Sequence, residues 1–358
     1  MKEIPWSIPD IGEEEKEAAK KVIDSGWLTQ RKETEKFERD IENYIGENNA
    51  VVVSNGTTAL ITALIAHGIG KGDQVIVPTF TFIASVNSIL AVGAKPVLVD
   101  CDIGTFNTDP EFMKKHITER TKAIMPVDVA GMPIDVDSFV EFAEKNNLIF
   151  IEDAAEALGA SYKNKKIGSF NHTTIFSFHM AKIVTSVEGG CILTKDRKFA
   201  EKCSMIRTHG GGYDCKSYGL NFRITDIQSA IGRVQIKKID KYVERRNKLV
   251  NLYKKGLGNQ VSYQQIPSYV TSHPHMIFGV LVDPKKRDMI NAALNKNGIE
   301  TRICWPPVHT QEYHKSFLGG SFPNAESISS RIINLPMGNK LTEDDANYVV
   351  EVFKKVIK

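Results

Sequence analysis

Residues 50–67 read AVVVSNGTTALITALIAH. Four small or β-branched apolar residues run together with no polar interruption, which is how a strand looks when both of its faces are covered. Ser54-Asn55-Gly56 then turns the chain, and the spacing predicts a helix over 58–67. The same unit recurs downstream. Apolar runs at 74–77, 96–99, 123–127 and 148–151 alternate with helix-like stretches at 83–92, 109–116 and 136–145. Two more runs, 173–178 and 190–193, extend the sheet without a clear helix between them. Strands of buried type separated by helices specify an α/β fold with a largely parallel sheet.

Outward from this block the pattern changes at both ends. Asp10 followed by Glu13 reads as a helix cap with its capping box, and Gly26 as the stop of that helix. A second amphipathic helix covers 32–44 and ends at Gly46. From 225 to 255 the period is helical, with Ile227, Ile231, Val234, Ile239 and Val243 as its apolar stripe, so one long helical region bridges to the C-terminal part of the chain. Strands and helices alternate again there, at 276–282, 287–297 and 343–356, as a small α+β domain. The expected division is a large domain with an N-terminal arm over 1–245 and a small C-terminal domain over 246–358.

With 358 residues, 42% hydrophobic and 25% charged, the chain has room for a large domain and a smaller one without a disulfide or metal staple. A net charge of +3 leaves no electrostatic footprint for nucleic acid or an anionic membrane, so an anionic ligand has to be caught by a local site. Five scattered cysteines form no C-x-x-C pair, which reads as reduced thiols in the cytoplasm and no metal centre. No apolar run reaches about 18 residues, and neither a signal peptide nor a transmembrane helix is expected.

Three segments put pointed chemistry where strands end and helices begin, the place where open α/β sheets bind ligands. In Ser54-Asn55-Gly56-Thr57-Thr58 a glycine allows close backbone approach, and the amides of a helix N-terminus face outward beside two hydroxyls, which makes a phosphate cradle. In Ile149–Asp153 two carboxylates close a buried-type strand before the small residues Ala154 and Ala155. A carboxylate there needs a positive partner, and a protonated pyridine nitrogen is one. In Phe176-Ser177-Phe178-His179-Met180-Ala181-Lys182, followed by Glu188-Gly189-Gly190, a lysine among bulky apolar residues can lose its charge, as an imine-forming amine must. Each has a plainer reading alone: a βα turn capped by a threonine, a helix cap or metal ligand, a surface lysine. Together they are the parts of a pyridoxal-phosphate (PLP) site, with Lys182 carrying the cofactor as a Schiff base. His179, beside Phe176 and Phe178, reads as a packed, hydrogen-bonded histidine and not as a catalyst.

These motifs, with Ser25-Gly26-Trp27-Leu28-Thr29-Gln30, the PTFTFIA run from Pro78, Asn221-Phe222-Arg223-Ile224-Thr225, Pro307-Val308-His309 and Leu335-Pro336, resemble the DegT/DnrJ/EryC1/StrS aminotransferases nearly end to end. The resemblance implies a fold-type I PLP-transferase: a large domain whose mostly parallel seven-stranded sheet is sandwiched by helices, plus the small C-terminal domain. It implies transfer of an amino group from an amino acid, with L-glutamate the expected donor, to the keto carbon of a nucleotide-diphosphate-linked ketohexose, for amino-sugar and polysaccharide biosynthesis. It assigns Lys182 as the cofactor lysine and proton shuttle and Asp153 to the pyridine nitrogen. Gly56, Thr57, Thr58 and Ser177 go to the phosphate, Phe82 to the ring face, and Glu156 stands among the cofactor-binding residues.

Asn221 is implied to reach the cofactor phosphate of the neighbouring subunit in a homodimer with shared sites. Helix capping near Thr225 is its plainer role. Trp6, Arg223 and His309 are candidate sugar grips. The chain departs from the family at Glu156, where Gln or His is frequent, at Asp128, where His is, and at Val187, where Gly is. Met180-Ala181 also stands where perosamine-forming members have Gly-Asn. The same parts would also serve a PLP dehydratase, a cyclitol-ketone aminotransferase, or a regulatory protein on the same scaffold. The intact Lys182 and Asp153 speak against the last.

Overall fold

The computed structural model describes residues 2–46 and 48–357. The strands are β1 (Asn49–Val53), β2 (Gln74–Pro78), β3 (Lys95–Val99), β4 (Thr121–Ile124), β5 (Ile149–Asp153), β6 (Ser161–Tyr162), β7 (Lys165–Lys166), β8 (Thr173–Ser177), β9 (Gly190–Thr194), β10 (Ser262–Tyr263), β11 (Val270–Ser272), β12 (Phe278–Leu281) and β13 (Ile332–Leu335). The helices are α1 (Glu13–Asp24), α2 (Lys32–Ile45), α3 (Gly56–Ala66), α4 (Ile83–Ala91), α5 (Pro110–Lys114), α6 (Val136–Lys145), α7 (Arg197–Arg207), α8 (Asp226–Ile236), α9 (Ile239–Leu257), α10 (Arg287–Lys296), α11 (Pro323–Arg331) and α12 (Glu343–Ile357).

Successive side chains of β1 point to opposite faces, and both faces are filled. Val51 and Val53 enter one core with Ala59, Leu60 and Ala63 of α3, while Ala50 and Val52 enter a second with Phe37 and Ile41 of α2. This explains the unbroken Val run. The strand belongs to a seven-stranded sheet of order β1-β9-β8-β5-β4-β2-β3. All neighbouring pairs are parallel except those made by β9, which runs against both β1 and β8. The reversal brings Gly190, the first residue of β9, into register with Val53 on one side and Ser177 on the other.

Several expectations shift. The stripe over 225–255 is two helices, α8 and α9, separated by Lys237 and Lys238. The first helix is capped at Gly12, with the Glu15 carboxylate accepting the Gly12 amide at 2.8 Å, so Asp10 and Glu13 do not form the box. The run at 123–127 is regular strand only to Ile124, continues to an isolated parallel bridge between Val127 and Asp153, and then enters a 3₁₀ turn at Val129–Gly131.

The division at 245 falls inside α9. Tyr242 packs in the large core, while Leu249, Val250, Tyr253 and Leu257 of the same helix enter a third core with β12, β13, α10 and α12. Ile4 of the N-terminal arm also lies in that third core, bridged to Ile299. Among the described residues no helix is long and apolar enough to cross a membrane.

Candidate active site

The phosphate cradle forms at the C-terminal end of β1. Asn55, not a threonine, caps α3: its Oδ1 accepts the Thr58 amide at 2.9 Å, and the Thr58 hydroxyl meets the Asn55 amide at 3.1 Å. Thr58 is thereby turned inward as half of a capping box, which leaves the amides of Gly56 and Thr57 as first-turn donors that no helical carbonyl reaches. A Cβ on Gly56 would stand 3.1 Å from the Cβ of Ser177, and one on Gly190 would stand 2.3 Å from the carbonyl oxygen of Asn55. Only glycine lets β9, the turn and the Ser177 hydroxyl converge so closely.

Asp153 ends β5 and is 5% exposed. Its Oδ2 accepts the Ser85 hydroxyl at 2.6 Å and its Oδ1 the Ala155 amide at 3.3 Å. Burial pushes its carboxyl above the ordinary carboxylate range. The two hydrogen bonds and the Lys182 charge oppose this rise, and the Glu156 charge adds to it. Glu152, one residue back, points to the opposite face and is spent on structure. Its Oε2 meets His172 Nε2 at 2.9 Å and accepts the Thr174 hydroxyl at 3.0 Å. Strand alternation therefore separates the two adjacent carboxylates, and only Asp153 faces the site.

Lys182 lies in the irregular segment between β8 and β9, with its side chain 15% exposed. The Lys182 amide bonds the His179 carbonyl at 2.9 Å, and the next residues, Ile183 and Val184, are buried as anchors. Its Nζ donates to Glu156 Oε1 at 3.1 Å, and Glu156 Oε2 accepts the Ala130 amide at 2.9 Å. Lys182 is thus not a surface lysine. His179 is half-exposed instead of packed: its Nδ1 accepts the Ala181 amide at 3.2 Å because the neighbouring aromatic side chains turn inward, away from it.

Phe82, the residue before α4, is 52% exposed and its ring centroid lies 5.2 Å from that of Trp305. Sequence reasoning passes over both Trp305 and Ser85. The signal for Ser85 is its place one turn past Phe82, and for Trp305 its place just before Pro307-Val308-His309. Asp128 faces away, accepting the Ile134 amide at 3.0 Å. Burial and the charge of Glu152 push its carboxyl well up.

The three candidate grips fare differently. The Trp6 backbone is fixed by Glu300 and Met337, and its ring packs on the same core as Ala181 and Trp305. Arg223 is half-buried. His309 is 9% exposed with both ring nitrogens engaged, at 2.7 Å to the Thr79 hydroxyl and 3.2 Å to Glu326, so its contacts serve the loop and not a sugar. Asn221 is exposed and does not cap α8; Thr225 does, in a capping box with Gln228. The Asn221 side chain makes no hydrogen bond among the described residues, although its neighbour Phe222 accepts the Ser54 amide at 2.8 Å.

A buried carboxylate without a cation in ion-pair contact among the described residues, a glycine-lined helix N-terminus and a screened lysine fit PLP on this geometry alone. Comparison with known proteins agrees. The sequence model of the DegT/DnrJ/EryC1/StrS aminotransferase family matches residues 9–354. The chain is 33% identical to the spore coat polysaccharide biosynthesis protein SpsC of Bacillus subtilis (strain 168), over 99% of this chain and 97% of that one. It is similar to Helicobacter pylori PseC, an aminotransferase involved in the biosynthesis of pseudoaminic acid, with TM-score 0.94, 29% identity and 99% of each chain covered. It is also similar to the PLP-form of Spr1654 from Streptococcus pneumoniae, with TM-score 0.94, 30% identity and 99% of each chain covered.

Proposed function

Because this chain belongs to the DegT/DnrJ/EryC1/StrS aminotransferase family, we propose that it moves an amino group from L-glutamate to the keto carbon of a nucleotide-diphosphate-linked ketohexose. The enzyme is a PLP-dependent aminotransferase of amino-sugar biosynthesis, with the fold-type I architecture. The carrying observation is the juxtaposition of the Lys182 amine, 3.1 Å from Glu156, with the buried Asp153 on which both charges act. For the sugar, support comes from the names of the relatives, one a polysaccharide biosynthesis protein and one an aminotransferase of pseudoaminic acid biosynthesis.

When bound, PLP supplies the electron sink that lets a Cα–H bond of an amino acid ionise. The Gly56 and Thr57 amides and the Ser177 hydroxyl would hold its phosphate, with the Thr58 hydroxyl completing the turn behind them. Asp153 would hold the proton on its ring nitrogen, and Phe82 would cover a ring face. The amine of Lys182 takes the α-proton, and Glu156 keeps that amine in place. Trp6 and Arg223 stand as the side chains that meet the substrate. If L-glutamate with a panel of nucleotide ketosugars gives aminated product by mass spectrometry, the reading holds. Amination only of free ketones or cyclitols overturns it.

The same reading includes a homodimer in which Asn221 reaches the partner's cofactor phosphate. Its support is an exposed amide with no hydrogen bond among the described residues, in a segment that also carries the exposed side chain of Tyr218. Mixing Lys182→Ala with Asn221→Ala should restore activity, since one class of mixed dimer carries both lesions in one site and leaves the other whole. Subunit exchange without restored activity removes Asn221 from the shared site.

A further inference from the structure

The segment that carries Lys182 has no helix or strand of its own. Turn bonds inside it satisfy the carbonyls of Phe178 and His179, and the carbonyls nearest Lys182 depend on groups from outside. The carbonyl of Ile183, the residue after Lys182, accepts the side-chain amide of Asn339 at 2.7 Å, across 156 positions of sequence. Asn339 Oδ1 accepts Arg246 Nε at 2.9 Å, and Arg246 Nη1 donates to the carbonyls of His275 at 2.9 Å and Met276 at 3.1 Å. Asn339 and Ile183 are buried, and Arg246 is 1% exposed. The two partners fix the orientation of the Asn339 amide, because the reversed amide would aim an NH₂ at a guanidinium and an oxygen at a carbonyl.

Arg246 is costly where it stands. Its bonds go to neutral acceptors and it forms no ion pair among the described residues, so burial pushes its guanidinium down to about 10. Enclosing a charge with no counter-ion is unfavourable unless its hydrogen bonds are well made. An apolar side chain would pack α9 against the neighbouring strands at a smaller desolvation cost. What a guanidinium adds is a rigid fork that spans the His275–Met276 carbonyls and the Asn339 oxygen at once. Among the described residues, the only other side-chain bond onto the 180–183 backbone from outside the segment is Ser7 Oγ to the Ala181 carbonyl, at 3.5 Å.

We propose that Asn339 and Arg246 are positioning residues for catalysis. They form a strut that holds the backbone beside Lys182, and so the place from which its amine acts, to the C-terminal part of the chain. A misplacement of about 1 Å at a reacting group costs up to about a hundredfold in rate. Asn339→Asp tests this with the fold retained, because the new carboxylate gains an ion pair with Arg246 but cannot donate to the Ile183 carbonyl and repels it.

Two readouts are needed. In the first, cofactor-free protein is mixed with PLP, and the appearance of the Lys182-linked absorbance is followed. In Asn339→Asp it is slowed at least tenfold, with unchanged final occupancy and an unchanged or higher thermal midpoint. In the second, kcat with the donor falls tenfold to a hundredfold at unchanged KM, while Ser7→Ala changes either readout less than twofold. An Asn339→Asp protein with wild-type linkage rate and kcat overturns the strut. So does a loss of rate matched by a fall in occupancy or thermal midpoint, the mark of a merely structural role. The linkage assay uses no substrate, so a wrong donor assignment would show as an inactive wild type and not as an effect of this substitution.

Discussion

Oε1 of Glu156 lies 3.1 Å from Nζ of Lys182, and its other oxygen is pinned at 2.9 Å by the backbone amide of Ala130. The carboxylate is therefore fixed before it meets the lysine. Glu156→Gln keeps the shape, but with its oxygen on the Ala130 amide its NH₂ faces the Lys182 ammonium, donor against donor, so the charge-assisted contact is lost. The expected outcome is retained PLP binding, unchanged KM and a kcat lower by about tenfold, or about 1.4 kcal/mol in the barrier. Single-turnover absorbance with the amino donor measures it. A kcat within twofold of wild type would show that the charge is irrelevant to the lysine.

Asp153→Asn separates stability from function. The carboxylate is buried without a cation in ion-pair contact among the described residues, and burial already raises its pKa. Without cofactor the neutral amide removes a desolvation cost, and the Ser85 hydroxyl can still donate to its oxygen. Unfolding of the cofactor-free variant should be unchanged or shifted to higher denaturant. Its turnover should drop by about a thousandfold or more, about 4 kcal/mol, because an amide cannot hold the ring nitrogen protonated. Near-normal turnover in this variant would remove the carboxylate from the mechanism.

How far the sequence carried is clearest at particular residues. The Val51-Val52-Val53 run announced its strand because both faces are covered, and the places of Asp153 at the end of β5 and Gly56 at the start of α3 were legible from the same strand-and-turn pattern. Long-range contacts were hidden. α2 has no capping side chain of its own at Arg31; Asp226 of α8 supplies the cap, accepting the amides of Arg31 at 2.7 Å and Thr34 at 3.0 Å. No local pattern places residue 226 beside residue 34. His309 misled for the same reason, since its partners Thr79 and Glu326 come together only in the fold. The break between α8 and α9 was hidden differently: the apolar stripe continues across Lys237 and Lys238, so period alone cannot reveal two helices.

Val187 holds a φ of +72°, a left-handed conformation that a β-branched residue adopts only under strain. Its side chain is exposed, so little burial offsets the strain in the protomer. Val187→Gly relieves the strain at a smaller cost in chain entropy, for a net gain of about 1 kcal/mol. The denaturation midpoint of the cofactor-free protein should rise accordingly, with the slope unchanged. A lower midpoint would show that the valine side chain holds a contact worth more than the strain.

Acid should act on the fold through His67. Burial depresses this histidine from its ordinary value of 6.5 to about 4, helped by the charge of Lys202 and opposed by that of Asp196. Its Nε2 stands 2.9 Å from the Thr173 hydroxyl, and its ring lies 4.1 Å from that of Phe199. The unfolded chain protonates this histidine first, so acid favours unfolding. Its contribution to stability is complete above about pH 6.5, falls as pH drops toward about 4, and is level below that. His67→Gln keeps a polar group for Thr173 but cannot titrate. At pH 7.5 it should be less stable by about 0.5–1 kcal/mol through the lost ring contact. Between pH 6.5 and pH 4 the gap should close and then reverse, because only the wild type acquires the protonation penalty. His273 and His275, also depressed by burial, weaken both proteins alike and cancel in the difference. Thermal midpoints of the two cofactor-free proteins across this range decide it. A gap that stays constant from pH 7.5 to pH 4 would show that His67 takes up its proton as readily in the fold as in the open chain.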